Sequence, residues 1–412
     1  MKSARDLVLL TAVFPFGNKS ETFLETEIEI LANRFKRIFV LPSLREDGGR
    51  PLPPNAVLIR MEWLDCPSKW AKRRALFSAA AGRAALASLR RPKNWRPYRS
   101  ALRMYADLLA CNVLKCRALA DFIRRERLEG AIFYDYWFEN STLALALLRR
   151  SGVIGAAVCR AHGFDVYDER WGGLPVPFRE FKADGLDAVF AVSEFGARYL
   201  RNRIPASRGK IRVSRLGVRG QSVKDTEPET TPVVVSCGSL LPTKRVQRIP
   251  EVLERLRRPL RWVHLGDGPE RAAVQAAAAR LPMRVEWELT GHVDNRCVLR
   301  FYRQNHVAAL LSLSVSEGLP VSMMEAQSFG IPVVAIGVHG VPEIVNETTG
   351  VLLGSDAGPD EAAAGLATVL EPGRFDRNRI REFFSEHYEA NVNYNSFADS
   401  LISLGEGQAA PA

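Results

Sequence analysis

Short apolar runs alternate along this chain with stretches in which apolar residues recur at helical spacing. In the first half the runs are Leu7-Val-Leu-Leu-Thr-Ala-Val13, Ile38-Phe-Val-Leu-Pro42, Ala131-Ile-Phe-Tyr-Asp-Tyr-Trp-Phe138, Gly155-Ala-Ala-Val-Cys159 and Asp187-Ala-Val-Phe-Ala-Val-Ser193. Val233-Val-Val-Ser-Cys237, Leu260-Arg-Trp-Val-His-Leu265, residues 285–291, Val307-Ala-Ala-Leu-Leu-Ser-Leu313 and Ile331-Pro-Val-Val-Ala-Ile336 follow in the second. Most are the length of strands buried on both faces, as in parallel sheets. Helical spacing over 24–31, 141–150, 246–256 and 320–330 falls between them, residues 69–128 are rich in Ala, Leu and Arg, and 377–404 reads as one further helix. Strand and helix alternating in both halves predict two doubly wound α/β domains. Residues 221–232, with three acids and two prolines, read as the linker. The expected domains are therefore 1–220 and 221–385, followed by 386–412.

The stretch from Ser314 to Ala335 carries the most chemistry. Pro320 suits a first helical position and Gly330 a left-handed cap, so Val321, Ser322 and Met323 would present unpaired N–H groups where a helix dipole favours an anion. Gly318 allows a ligand close to the backbone. Glu317 and Glu325, eight positions apart, do not share a helical face. They fit two ends of a polar ligand better than an acid and base pair, although a Glu near a helix start also serves for capping alone.

Glu317-Gly-Leu-Pro-Val-Ser-Met-Met-Glu325-Ala followed by Gly330-Ile-Pro-Val-Val-Ala resembles the signature of the retaining glycosyltransferases of family 4. The resemblance implies the GT-B fold, two Rossmann-like domains facing across a cleft, with the last helix crossing back to the first. It implies that Glu317 contacts donor-sugar hydroxyls, that the backbone of Gly318, Leu319, Pro320, Val321 and Ser322 approaches sugar and phosphates, and that Glu325 accepts from the ribose.

Other strand ends gain a second reading from it. Val233 to Cys237 runs into Gly238-Ser-Leu-Leu-Pro-Thr-Lys244-Arg245. A Lys after such a loop suits phosphate as a point charge. The family pattern of Gly-Arg-Leu and Lys-Gly departs here to Ser239 and Arg245, so Lys244 carries over and Arg245 stands in for the missing guanidinium. Gly266-Asp-Gly268 lacks the third glycine of a dinucleotide fingerprint, Arg271 standing in its place, and a nicotinamide site is unsupported. The resemblance places Gly266 on the nucleotide side. Gly17 lies in a strand-to-helix loop, where Ser20 and Glu21 also read as a helix start; the resemblance implies instead that this loop, Gly17 included, lines the interdomain cleft and helps shape the diphosphate and acceptor side. Arg160-Ala-His162-Gly-Phe-Asp165 resembles the family segment whose His lies beside the donor sugar and reaction centre. By itself a single His is more often structural, and Asp165 orients that ring, contacts acceptor or caps a turn.

Composition changes the picture in one place. The 412 residues are 47% hydrophobic, 25% charged and carry a net charge of +11. Between Lys69 and Arg127 stand 16 Lys and Arg against three acids, interleaved with Trp70, Trp95, Tyr98 and Tyr105. Such a segment fits a solvated face or, with those rings, an anionic membrane interface. Six cysteines without a C-x-x-C pair point to free thiols in a cytoplasmic protein, and no His/Asp cluster with ligand spacing implies a metal.

The expected function is retaining transfer of a sugar from a UDP- or GDP-sugar to a hydroxyl acceptor, with no further cofactor and no nucleic acid partner. The acceptor would be a glycan or lipid-linked intermediate of surface-polysaccharide assembly, at the inner face of the cytoplasmic membrane. His162, Lys244 and Glu317 would act at the reaction centre, the leaving phosphate taking the acceptor proton. Rival readings are a GT-B phosphorylase, a nucleotide-sugar epimerase, and a noncatalytic basic protein binding membrane or nucleic acid.

Overall fold

The computed structural model describes residues 3–17, 21–44, 46–61, 68–89, 98–139, 141–222 and 230–407. The chain divides into two compact units, Met1–Ser214 with Tyr394–Ala412, and Arg215–Asn393.

In the first unit the order is β1 (Leu7–Thr11), α1 (Leu24–Arg34), β2 (Ile38–Pro42), β3 (Ala56–Leu58), α2 (Lys69–Leu76), α3 (Ala79–Leu89) and α4 (Tyr98–Glu126). Then come β4 (Ile132–Asp135), α5 (Thr142–Arg150), β5 (Ala156–Ala161), α6 (Arg179–Gly185), β6 (Ala188–Ala191), α7 (Glu194–Arg203) and β7 (Ile211–Val213). The strands form one parallel sheet ordered β3-β2-β1-β4-β5-β6-β7. Alternation along β1 sends Val8 and Leu10 into a core with Phe39, Phe122 and Phe133, and Leu7 and Leu9 into the opposite core with Ile38, Tyr134 and Phe397. Both faces are therefore covered, as the continuous apolar runs require.

The second unit runs β8 (Val233–Cys237), α8 (Ile249–Arg255), β9 (Leu260–Leu265), α9 (Arg271–Ala278), β10 (Val285–Leu289), α10 (Asn295–Gln304) and β11 (Val307–Ser312). It continues through α11 (Val321–Ser328), β12 (Val333–Ile336), β13 (Gly350–Leu353), α12 (Pro359–Val369) and α13 (Arg377–Tyr388), and α14 (Ala390–Glu406) leads from it into the first. Its parallel sheet is ordered β10-β9-β8-β11-β12-β13. In both sheets the winding reverses beside the first strand, between β1 and β4 and between β8 and β11. Ligands of open α/β sheets bind at the carboxyl ends there.

Four expectations need correction. The division falls at Ser214/Arg215, ahead of the expected linker, because Val218 bridges in parallel to Glu389 and the Gly220 amide donates to the Glu389 carboxylate. Residues 223–229 of that linker lie outside the described residues. The expected helix 377–404 is two, since Glu389 is extended (φ −69°, ψ 122°) to make that pairing. The expected helix from Val246 starts at Ile249; before it the chain makes two 3-10 turns, Pro242–Lys244 and Val246–Arg248, parted by Arg245 in left-handed conformation (φ 50°). Finally, Ser20 and Glu21 do not start the helix: it begins at Leu24, as its apolar spacing predicts, with Phe23 as its cap, and Ser20 lies outside the described residues.

Candidate functional site

At the reversal point of the second sheet the loops after β8, β9 and β11 are bonded to one another. Gly238 N–H donates to Leu265 O, Leu240 N–H to Asp267 O, and Glu270 N–H back to Leu240 O. Gly266 and Gly268 make this possible: a Cβ on Gly266 would stand 2.1 Å from Gly238 O, and one on Gly268 2.6 Å from Leu240 O. The Gly-x-Gly pair thus joins two loops, which accounts for it without a dinucleotide. Val315 N–H donates to Thr243 O at 2.9 Å, tying the loop after β11 to the turn that carries Lys244.

That tie sets the central contact. Lys244 Nζ lies 2.6 Å from Glu317 Oε1, with Glu317 nearly buried and Lys244 partly so. Arg245, beside it, pairs its side chain with no described residue, and Ser239 is exposed on the β8 loop. Downstream, α11 begins at Val321 with Pro320 as its cap and no side-chain capping bond. Met323 N–H is not free, because it donates to Pro320 O; the amides of Val321 and Ser322 are the ones without a partner among the described residues and so left for an anion. Gly330, at φ 71°, closes the helix in a Schellman motif, with Ile331 N–H on Ala326 O and Gly330 N–H on Gln327 O.

Glu325 sits inside this assembly and accepts from Asn295 Nδ2, at the start of α10. Burial pushes its carboxyl up to about 7, the Asn295 bond opposing the rise. Asn295 had no sequence signal beyond its place at a helix start. Cys237, at the end of β8, is no nucleophile: burial raises its thiol to about 12. Among the described residues no three His, Cys, Asp or Glu side chains gather as around a metal ion, and the described cysteines are free thiols.

The other singled-out residues, Gly17 and His162, lie in the first unit. Gly17 has φ 64°, and a Cβ there would meet the Glu46 carboxylate at 2.1 Å. His162, just past β5, is buried against Tyr136 and Trp137, with ring centroids 4.7 and 4.4 Å away, and Phe23 at 6.0 Å. Neither ring nitrogen has a hydrogen-bond partner among the described residues, and Asp165 Oδ2 stands 3.8 Å from Nδ1. Asp165 instead accepts from the amides of Phe138, His162 and Gly163. Burial would raise this carboxyl, but His162 and those amides hold it below the ordinary range.

Arg160, two residues before His162, is wholly buried and structural. Its Nε donates to Tyr134 Oη, its Nη2 lies 3.3 Å from Glu27 Oε1, and its guanidinium stacks 4.1 Å from the Phe397 ring centroid. On α2, Trp70 (66% exposed), Lys69, Arg73 and Arg74 face solvent, as do Phe77 (92%) and, on α4, Leu102, Arg103 and Met104. Lys72 is paired with Asp107, Tyr105 donates to Pro175 O, and Trp95 and the Tyr98 side chain lie outside the described residues. No helix among the described residues is long and apolar enough to cross a membrane.

Residues 219–383 match the family model of glycosyl transferases group 1. The putative colanic acid biosynthesis glycosyltransferase WcaL of Escherichia coli K12 is 27% identical over 246 residues, 57% of this chain and 59% of that protein. The chain thus spans less than two thirds of that curated relative. Among solved structures, the lipopolysaccharide outer core galactosyltransferase WaaB superposes with a TM-score of 0.65 at 16% identity, covering 97% of this chain and 99% of that one. Sucrose-phosphate synthase of Thermosynechococcus elongatus gives 0.68 at 16% identity, over 98% and 100%. The chain therefore has the two-domain GT-B fold, resembles glycosyltransferases of surface-polysaccharide assembly, and matches the glycosyl transferases group 1 model over residues 219–383.

Proposed function

We propose that this protein is a retaining glycosyltransferase that moves a sugar from a UDP- or GDP-sugar to a hydroxyl of a glycan or lipid-linked acceptor in surface-polysaccharide assembly. The observation that carries this is the Lys244–Glu317 pair at the reversal point of the second sheet, beside the free amides at the start of α11. A cation, two backbone donors and a carboxylate held together suit a diphosphate joined to a polyol.

In this reading Lys244, with Arg245 and the Val321 and Ser322 amides, stabilises charge growing on the leaving diphosphate. Glu317 accepts from donor-sugar hydroxyls, with the Gly318, Leu319 and Pro320 backbone beside it. Glu325 accepts from the ribose, and Gly238, Ser239 and Gly266 line the phosphate and nucleotide side. For His162 the role implied by its motif is contact with the sugar at the scissile bond. The leaving phosphate takes the acceptor proton. Since cationic and dipolar groups supply the positive charge, the reaction would need no metal or cofactor, and a chelator would leave its rate unchanged. The aromatic and basic face of α2 and α4 would rest on an anionic membrane from the cytoplasmic side.

Calorimetric titration with UDP, GDP and ADP and their sugars, on wild type and Glu325→Ala, tests the reading. Selective binding of one nucleotide, weakened in the variant, is the expected result. Binding of none of them would overturn it.

A further inference from the structure

Glu21 belongs to no motif that the proposed function uses, yet its carboxylate is among the most heavily bonded in the first unit. It is buried and held at φ 53°, a left-handed conformation that costs a non-glycine residue about 1 kcal/mol or more. Oε2 accepts from the amides of Val13 (2.8 Å) and Phe14 (2.6 Å), and Oε1 from the Ala12 amide (2.9 Å) and the Trp137 indole N–H (2.6 Å). One side chain thereby fixes the loop leaving β1 to the loop leaving β4, the two strands between which the first sheet reverses its winding.

Beyond that bond, the Trp137 ring lies against His162. The imidazole makes no hydrogen bond to a described residue; beyond the Asp165 carboxylate, whose Oδ2 stands 3.8 Å from Nδ1, its orientation is set by the rings around it: Tyr136 on the strand end, Phe23 ahead of α1, and Trp137. Of these, Trp137 is the one whose position is fixed by a charge-assisted bond. We infer that Glu21 is a positioning residue, which sets the orientation of His162 through the Trp137 indole. The inference rests on the proposed function only for the consequence that His162 orientation matters to sugar transfer.

Glu21→Gln keeps the size but replaces one acceptor oxygen by an NH2 facing N–H donors. Trp137→Phe keeps an aromatic ring but removes the indole donor. Both, and the double variant, are compared with wild type in two measurements. The first is the 13C–1H resonance of the His162 ring in histidine-labelled full-length protein, assigned with His162→Asn. The second is kcat and KM for sugar transfer, normalised to folded protein. Both single variants are expected to shift the His162 resonance and to lower kcat by about tenfold to a hundredfold with donor KM little changed, misplacement being costly without loss of binding. Because both act through one bond, the double variant should be no worse than Glu21→Gln alone.

A His162 resonance that stays put, kcat losses that multiply in the double variant, or losses that vanish on normalisation would each overturn the inference. If wild type transfers no sugar, the proposed function fails and the His162 resonance alone decides this point.

Discussion

Lys244 Nζ and Glu317 Oε1 are 2.6 Å apart, so the cation proposed for the diphosphate is already engaged by the acid proposed for the sugar. Donor binding must then share or replace that bond. A nucleoside diphosphate alone competes with Glu317 for Lys244, whereas a nucleotide sugar gives Glu317 hydroxyl donors in exchange. Glu317→Gln should therefore bind the free nucleoside diphosphate several-fold more tightly, about 1 kcal/mol, while losing preference for the sugar-bearing form. Lys244→Ala should weaken both, by roughly tenfold to a hundredfold, the range of a charge-assisted bond. Calorimetry on the two variants separates the roles; a Glu317→Gln protein that binds the diphosphate more weakly would contradict this exchange.

Glu325 makes a pH prediction in two parts. Its carboxyl ionises at about 7 in the folded protein against an ordinary 4.5, burial being the main cause. Ribose recognition needs the ionised acceptor, so nucleotide affinity should fall as pH drops below 7, by at most about tenfold per unit. Stability runs the other way. A carboxyl with raised folded pKa holds its proton more tightly in the native state, so its contribution is favourable at low pH and is lost as pH rises from 4.5 through 7. Glu325→Gln should thus raise Tm over wild type at pH 8, by a cost on the order of 3 kcal/mol relieved, with the gap closing towards pH 4.5. Melting curves across that range check it, and a gap independent of pH would refute the assignment.

Most of the strand and helix order was legible because buried parallel strands are continuous apolar runs, and the Glu317 to Glu325 segment because its spacing is specific. Less legible were features that depend on distant backbone. Val218 reads as part of a loop near a linker, yet its pairing with Glu389, 171 positions on, moves the division and breaks the last helix in two. Gly266 and Gly268 show as glycines in sequence, but only the Gly238 and Leu240 carbonyls explain them. Glu21 reads as a helix start because Ser and Glu stand together; its bonds to Ala12, Val13, Phe14 and Trp137 come from strand ends that sequence spacing cannot bring together.

The exposed face of α2 gives a prediction about membranes. Arg74 lies over the Trp70 ring at 4.7 Å, and Arg73, Lys69 and Phe77 project beside them. Each basic residue near an anionic surface contributes about 1 kcal/mol, so Arg73→Glu with Arg74→Glu should reduce sedimentation with phosphatidylglycerol-rich vesicles at least tenfold. Phe77→Ser should reduce it at unchanged charge and persist at high salt, where the electrostatic part is screened. Nucleotide affinity should be untouched in both. Unchanged sedimentation in the charge-reversed protein would mean that this is a solvated face.

The buried Glu27–Arg160 pair predicts how the first unit fails. Both side chains are fully buried, and Tyr134 Oη donates to the same Glu27 oxygen that Arg160 meets. Burial disfavours the Glu27 anion and raises its pKa, with Arg160 opposing, so the pair is stable only while both members are present. Arg160→Met alone strands a carboxylate in an apolar core and Glu27→Leu strands a guanidinium, each at about 3–5 kcal/mol. Arg160→Met with Glu27→Leu removes both charges and should recover most of that loss. Denaturant unfolding of the three variants gives the coupling. A double variant as unstable as the sum of the singles would show that the pair matters through packing, above all through the stack of the Arg160 guanidinium 4.1 Å from the Phe397 ring centroid.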